Sequence, residues 1–389
     1  MSGSEFKMGE GYPRILILAG ETSGDQYGAR VAESLKKLWP KCCLVGIGGD
    51  AMKSKGVHLL EDLEKLAVMG FYEIMVHVPF FYRLKRRVRK LLDNGSIDLV
   101  IPIDYPGFNL SVVRMAKKLD IRVLYYITPK VWAWRPSRAK QLAKNCDHLA
   151  VIFPFEADFF QKVGAKVEVT FVGHPLLDEV IPEPDRYRFC QFWGFDPAKP
   201  ILALFPGSRL QELIQHRELF LATGRCLQNE NPDIQIAWAK AGSVSDSVFR
   251  GSEFPVISDT QSLLAHARVA LVKSGTTTLE ATLQGTPFVT VYRTHPLTYL
   301  LARLLVNVDY IALPNLLMEK EVVPEVLQGS ARPGHLANLL GPLFDMESDV
   351  RIRMIKNLNL VRGRLGNPGA SERVASLAKF VLEKKDDNL

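Results

Sequence analysis

Two glycine-punctuated segments in the second half of the chain have residue types and spacing suited to holding an anion: Phe205-Pro-Gly-Ser-Arg209 and Lys273-Ser-Gly-Thr-Thr-Thr-Leu-Glu280. Each follows a short apolar run that reads as a buried strand, 201–205 and 269–272, and each leads into helical spacing. Glycine at 207 and 275 lets the backbone approach a ligand closely. N–H groups of Gly207, Ser208, Ser274, Gly275, Thr276 and Thr277, with the positive end of a helix dipole, favour phosphate there. Arg209 adds a fork-shaped cation that can bind phosphate oxygens in pairs, and Glu280, one helical turn past its loop, can accept hydrogen bonds from ribose hydroxyls. One such loop is as readily an ordinary strand-to-helix turn; two in half a chain point to a nucleotide diphosphate.

Loops of this kind need parallel strands to carry them. Arg14 to Ala19 is a β-branched and leucine-rich run, followed by Gly20-Glu-Thr-Ser-Gly-Asp25 and a helical pattern from Tyr27 to Trp39. Apolar runs at 44–47, 99–103, 123–127, 149–153 and 167–172 repeat the strand-then-helix alternation. Pro182-Glu-Pro-Asp185 reads as a linker, after which strands are expected at 201–205, 235–239, 255–257, 269–272 and 288–292. The fold class expected is α/β, with two Rossmann-like doubly wound domains, 8–184 and 185–365, facing a cleft at the carboxyl ends of their sheets. Residues 366–389 hold an amphipathic helix that needs an apolar surface, either across the domains or in a partner chain. Residues 1–7 read as a vector remnant.

Composition bounds the function classes. The chain has 389 residues, 47% hydrophobic and 23% charged, which excludes a largely disordered protein. No run of eighteen uncharged apolar residues occurs and no signal-peptide pattern opens the chain, so a cytoplasmic protein is expected. Five cysteines without C-x-x-C spacing suit a reducing compartment. Histidines are scattered without His-x-x-His spacing, so no metal is expected. The formal net charge of +7 fits nucleic acid, anionic lipid or a phosphorylated substrate.

Its distribution leaves two readings open. The segment from Val68 to Tyr82, with Met69, Phe71, Val76, Phe80 and Phe81, is unusually apolar, and the basic run from Arg83 to Lys90, with Arg86 and Arg87, follows directly. An apolar patch beside a basic cluster is how a protein lies on an anionic bilayer, or cradles acyl chains. The same composition also describes a core helix with a solvated basic face. Nucleic acid is disfavoured, because the basic residues cluster once and lack interleaved stacking aromatics.

The strings Gly20-Glu-Thr-Ser-Gly-Asp25, Met69-Gly-Phe-Tyr-Glu73, Ile103-Asp-Tyr-Pro-Gly-Phe-Asn109, Pro129-Lys-Val-Trp-Ala-Trp-Arg135, Pro154-Phe-Glu156, Gly173-His-Pro175, Pro206-Gly-Ser-Arg209, Ser274-Gly-Thr276 and Leu313-Pro-Asn-Leu316 follow one another through nearly the whole chain. In that order they resemble the lipid-A-disaccharide synthase family. The resemblance implies a GT-B glycosyltransferase that joins UDP-2,3-diacylglucosamine to lipid X, giving a β(1→6) disaccharide and UDP by single displacement without a cofactor. It further implies a homodimer in peripheral contact with the inner membrane.

Single displacement at an anomeric carbon needs a base at the acceptor hydroxyl and stabilisation of the departing diphosphate. Asp104, at the end of the run 99–103, is the base candidate and the resemblance points to it; a turn or N-cap aspartate is the alternative, since Tyr105-Pro106-Gly107 follows. Some relatives carry a second acid where Gly107 stands. Glu21 is the second candidate, with bracing the loop or capping the following helix as its alternative. Ser23, Gly24 and Asp25 can touch substrate, although Asp25 equally suits an N-cap. Asn315 matches a nucleotide-proximal position of the family or is an ordinary turn asparagine. Glu212 can orient Arg209. For His174, a contact between domains is favoured over proton transfer. A UDP-sugar epimerase, or a UDP-binding regulator without activity, would share the two phosphate loops.

Overall fold

The computed structural model describes residues 11–63, 78–134, 137–178, 185–242, 244–294, 299 and 309–384. The chain divides into two compact units, 1–178 with 365–389, and 179–364. Residues 1–7, residues 182–184 of the expected linker, and Met69, Phe71 and Val76 lie outside the described residues.

The first unit is built on seven strands, β1 (Arg14–Ala19), β2 (Cys43–Gly48), β3 (His58–Asp62), β4 (Leu99–Ile103), β5 (Arg122–Tyr126), β6 (His148–Val151) and β7 (Glu168–Phe171). They pair in the order β3-β2-β1-β4-β5-β6-β7, all parallel, with Leu16 opposite Val45 on one side and Val100 on the other. Strands buried on both faces must be apolar throughout, which is why the runs around Ile15 to Leu18 and Val100 to Ile103 were legible. The order reverses between β1 and β4, so the loops after these strands flank the switch point where ligands of open α/β sheets bind.

The helix Ala370–Glu383 completes this unit by packing on the helix Thr22–Leu38 and on β5. It buries Val374 and Val381, each contributing about 1.5–3 kcal/mol. Asp178 fixes its start, accepting from the Gly369, Ala370 and Ser371 amides at 2.6, 3.1 and 3.1 Å. Arg373 adds a bond to the Val172 carbonyl at 2.8 Å. Within this chain the apolar face of the terminal helix is covered by the first unit.

The second unit has six parallel strands, β8 (Ile201–Phe205), β9 (Gln235–Ala239), β10 (Val256–Ile257), β11 (Val269–Lys273), β12 (Phe288–Tyr292) and β13 (Glu325–Leu327). Their order is β10-β9-β8-β11-β12-β13, and its reversal falls between β8 and β11. The two glycine loops therefore stand at this switch point. Both units are doubly wound α/β folds, as the alternation in sequence implies.

The helix Val78–Asp93 corrects the surface reading of its apolar residues. Leu84, Val88 and Leu92, four residues apart, face the core, and Phe80 and Phe81 are half-buried against it. Phe81 packs on Phe108 at 6.4 Å between ring centres. The side chains at 83, 85, 86, 87, 89 and 90 are exposed, with Arg87 paired to Glu61 at 3.0 Å. A 3.6-residue period with basic residues opposite the apolar stripe makes this an amphipathic core helix with a basic outer face.

Candidate active site

At the first switch point the chain leaves β4 in a strained turn. Asp104 and Tyr105 both take left-handed φ values, +44° and +46°, and Ile127 after β5 takes +58°. Such values cost a non-glycine residue about 1–3 kcal/mol each and persist only where the surroundings over-determine them. Asn109, buried in the helix Pro106–Lys118, donates to the Asp104, Ile103 and Leu18 carbonyls at 2.8, 3.3 and 3.4 Å. The Tyr125 hydroxyl donates to the Asp104 carbonyl at 2.8 Å, and the Asp104 amide donates to the Tyr126 and Ile127 carbonyls. Gly20 has to be glycine, because a Cβ there would stand 2.0 Å from the Tyr105 ring.

Asp104 as a residue is exposed, while its carboxyl is packed round by protein. That desolvation, then the negative Glu21, pushes the carboxyl up to about 6, against Lys130 and the Tyr105 amide. Near neutral pH it is ionised and more basic than an ordinary carboxylate. Glu21 is exposed at the N-cap of the helix Thr22–Leu38 and makes no capping bond there, so the reading of a helix cap does not hold. Ser23 is exposed in the first turn of the same helix. Asp25 is structural. Its buried carboxylate accepts from the Gly49, Ala51 and Met52 amides at 2.7, 3.1 and 3.1 Å, holding the start of the helix Asp50–Ser54 rather than of its own.

His174 is buried in the first unit, where its amide donates to the Leu365 carbonyl at 2.9 Å and its ring tilts against Phe153 at 5.4 Å. Nδ1 accepts from the Leu176 amide at 3.2 Å, which places the ring proton on Nε2. Burial, then the Lys130 charge, drives it down to about 3. His174 is therefore a neutral Nε2–H donor at working pH.

The second switch point is organised by Glu212 in the helix Leu210–Glu230. Its Oε2 accepts from the Ser208 amide at 3.2 Å and its Oε1 from the Lys273 ammonium at 2.7 Å. Gly207, at φ +125°, has Glu212 packed where a Cβ would be. Burial opposes ionisation of Glu212, but Lys273, with Arg209 and the Ser208 amide, outweighs it and holds the carboxyl below its ordinary value. His216, fully buried one turn on, donates from Nδ1 to the Glu212 carbonyl at 2.7 Å and accepts from the Arg293 amide at 3.3 Å. Burial keeps it neutral. Glu212 thus ties both glycine loops together rather than only orienting Arg209, which is the N-cap residue of the helix.

In the second loop the Ser274 amide donates to the Val291 carbonyl at 2.9 Å, so the sheet consumes it. The Gly275, Thr276 and Thr277 amides donate to no backbone carbonyl among the described residues, and they open the helix Thr277–Gln284. A helix start of this kind favours an anion. Glu280 is half-buried one turn further on. Asn315 is spent inside the protein: Nδ2 donates to the Val323 carbonyl and to Glu325, both at 2.8 Å, and Oδ1 accepts from the Val322 and Val323 amides at 2.7 and 2.9 Å. Its side chain staples a loop and has no valence left for a nucleotide.

Lys130, Glu156, His216 and Lys273 were given no role in the sequence reading. Pro154 and Glu156, at the first and third positions of the helix Pro154–Lys162, carry only a capping signal. Among the described residues no group of three His, Cys, Asp or Glu side chains is placed to hold a metal.

The family model described as lipid-A-disaccharide synthetase matches residues 15–378. A lipid-A-disaccharide synthase of Geobacter metallireducens is 37% identical over 379 residues, covering 96% of this chain and 98% of that one. One from Coxiella burnetii is 38% identical over 372 residues, covering 95% and 98%. Among solved structures, a UDP-N-acetylglucosamine 2-epimerase from Listeria monocytogenes, described as putative, superposes with TM-score 0.65 at 13% identity, covering 96% of this chain and 98% of that one. The calicheamicin glycosyltransferase CalG4 superposes with TM-score 0.61 at 17% identity, covering 97% and 100%. The structural likenesses speak to the fold, a GT-B architecture that glycosyltransferases and epimerases share.

Proposed function

The chain belongs to the lipid-A-disaccharide synthetase family, glycosyltransferases of lipid A biosynthesis, and from that premise we propose that it joins UDP-2,3-diacylglucosamine to lipid X by an inverting single displacement. Asp104 takes the proton from the acceptor 6-hydroxyl. The oxygen then bonds to the anomeric carbon as the bond from that carbon to the UDP oxygen breaks, and UDP leaves with the electron pair. An α donor gives the β(1→6) disaccharide 1-phosphate.

The observation that best supports this reading is the placement of Asp104 in a strained, desolvated turn with its carboxyl raised to about 6. Arg209 and the Gly275–Thr277 amides are the groups offered to the diphosphate, where charge develops on departure. Glu280 is the ribose partner. Glu21 keeps the Asp104 carboxyl high and is the second candidate for the base. Lipid contact is assigned to the exposed basic face at Arg86 and Arg87, in peripheral association with the inner membrane. No helix among the described residues is long and apolar enough to cross a membrane. A homodimer is part of the proposal, checked by light scattering in detergent.

The test is UDP release from UDP-2,3-diacylglucosamine with and without lipid X, in detergent micelles with EDTA, for wild type and Asp104→Ala. Acceptor-dependent release that collapses in the variant is expected. Release without lipid X, or none from folded protein, sinks the synthase reaction; a fully active variant moves the base to Glu21.

A further inference from the structure

Glu156 is buried, 2% exposed, and all its oxygens are engaged. Oε2 accepts from the Ile152 and Phe153 amides at 3.1 and 3.0 Å, and Oε1 from the Thr128 hydroxyl and the Trp132 indole N–H, both at 3.3 Å. The carboxylate thus joins the loop after β6 to the loop after β5, both at the carboxyl end of the sheet. Two features of the acceptor half-site hang on these loops. Lys130 lies between Thr128 and Trp132, both held by Oε1, and its charge acts on both Asp104 and His174. A ladder of rings runs from Trp132 to Phe155 at 5.0 Å, from Phe155 to Phe153 at 5.6 Å, and from Phe153 to His174 at 5.4 Å. Glu156 holds the first rung by its indole and the third by its backbone. The turn itself is tied in, since the Asp104 amide donates to the Ile127 carbonyl next to Thr128.

We infer that Glu156 is a positioning residue of the transfer reaction: it locks the 128–132 loop and the ring ladder, so that Lys130 and His174 keep fixed places around the Asp104 turn. A helix cap needs only the two amide bonds at Oε2; the pair at Oε1 reaches 24 and 28 residues away and serves the loop. Burial outweighs the four donors and pushes the Glu156 carboxyl up to about 7, so the lock weakens as the group takes up a proton. The groups facing it are the four donors named; those facing Asp104 are Glu21, Lys130 and the Tyr105 amide.

The inference rests on the transfer reading for its kinetic consequence but not for the lock. Glu156→Gln keeps the shape and sets an amide N–H₂ against at least one donor. In the full-length protein in detergent, the Trp132 indole N–H resonance, identified by its loss in Trp132→Phe, is expected to shift with pH with a midpoint near 7 in wild type. In Glu156→Gln that shift should be gone. The same variant should lower kcat roughly 10- to 100-fold with the KM for the UDP-sugar within about twofold, the signature of misplacement in the acceptor half-site. Its acid limb should move to higher pH, because a displaced Lys130 no longer pulls the Asp104 carboxyl down; Lys130→Met should move the limb the same way. If Glu156→Gln does not fold, Trp132→Phe carries the kinetic test, with the same split expected in smaller measure. An indole that does not titrate, or a folded variant with unchanged kcat and only a lower melting temperature, overturns the inference and leaves Glu156 a helix cap. An active Asp104→Asn removes the base reading, while the indole titration and the kcat split stand or fall independently.

Discussion

At the first switch point, between β1 and β4, the left-handed backbone positions are held by Asp104 and Tyr105, and the key carboxyl is raised by burial and by a neighbouring acid. At the second, between β8 and β11, the left-handed position is Gly207, and the key carboxyl, Glu212, is lowered by the lysine it holds at 2.7 Å. The topology is the same and the charge logic opposite. A carboxyl kept hard to ionise is prepared to accept a proton. One kept firmly ionised holds two glycine loops and a cation together. On the proposed reading, one fold used twice separates base chemistry from leaving-group binding by environment, without any change in architecture.

The comparison breaks most visibly at Asp104. Asp104→Asn should lower kcat/KM by roughly 10²- to 10⁴-fold while UDP affinity by calorimetry is unchanged. A parallel loss of UDP affinity would mean the two half-sites are not separable. Next in size is Asn315→Ala, which strands two buried amides and should lower the unfolding free energy by about 2–5 kcal/mol in urea titration. Weaker UDP binding at full stability would return Asn315 to the nucleotide site. Arg209→Ala should weaken UDP by roughly 10- to 100-fold and leave the acid limb of the rate profile in place. The smallest and sharpest effect is that of Glu21→Gln. Glu21 raises the Asp104 carboxyl, so its neutralisation should lower that value and move the acid limb down by roughly half a unit. An upward move contradicts the charge logic.

Much of this frame was legible in sequence because central parallel strands are apolar on both faces. The runs 14–19, 99–103, 201–205, 235–239 and 288–292 match the strands residue for residue. The edge strands β3 and β13 were missed. His58 to Asp62 is at most half-buried and ends on two acids, and Glu325 to Leu327 is three residues long, so neither leaves a periodic signal. Glycine at 207 and 275 marked the second switch point. Gly20 and Gly24 stood after β1 at the first, but nothing in sequence marked the strained turn after β4, because Asp104 and Tyr105 reach positive φ through bonds from Asn109 in the next helix and Tyr125 on β5. Asp25 and Asn315 show the limit for side chains. Asp25 was read as a ligand contact or a local cap and Asn315 as a nucleotide contact or a turn asparagine; Asp25 proved to be satisfied by amides 24 to 27 residues away and Asn315 by Val322, Val323 and Glu325. Lys273 and Glu212 are 61 residues apart, and no local pattern announces such a pair.

The most direct test of the central claim is the pH dependence of kcat/KM in wild type and Asp104→Asn. A desolvated base at the first switch point predicts an acid limb with a midpoint of about 6 in wild type, absent from the residual activity of the variant. A limb near pH 4, the range of an ordinary carboxylate, or one that persists unchanged in Asp104→Asn, would contradict it.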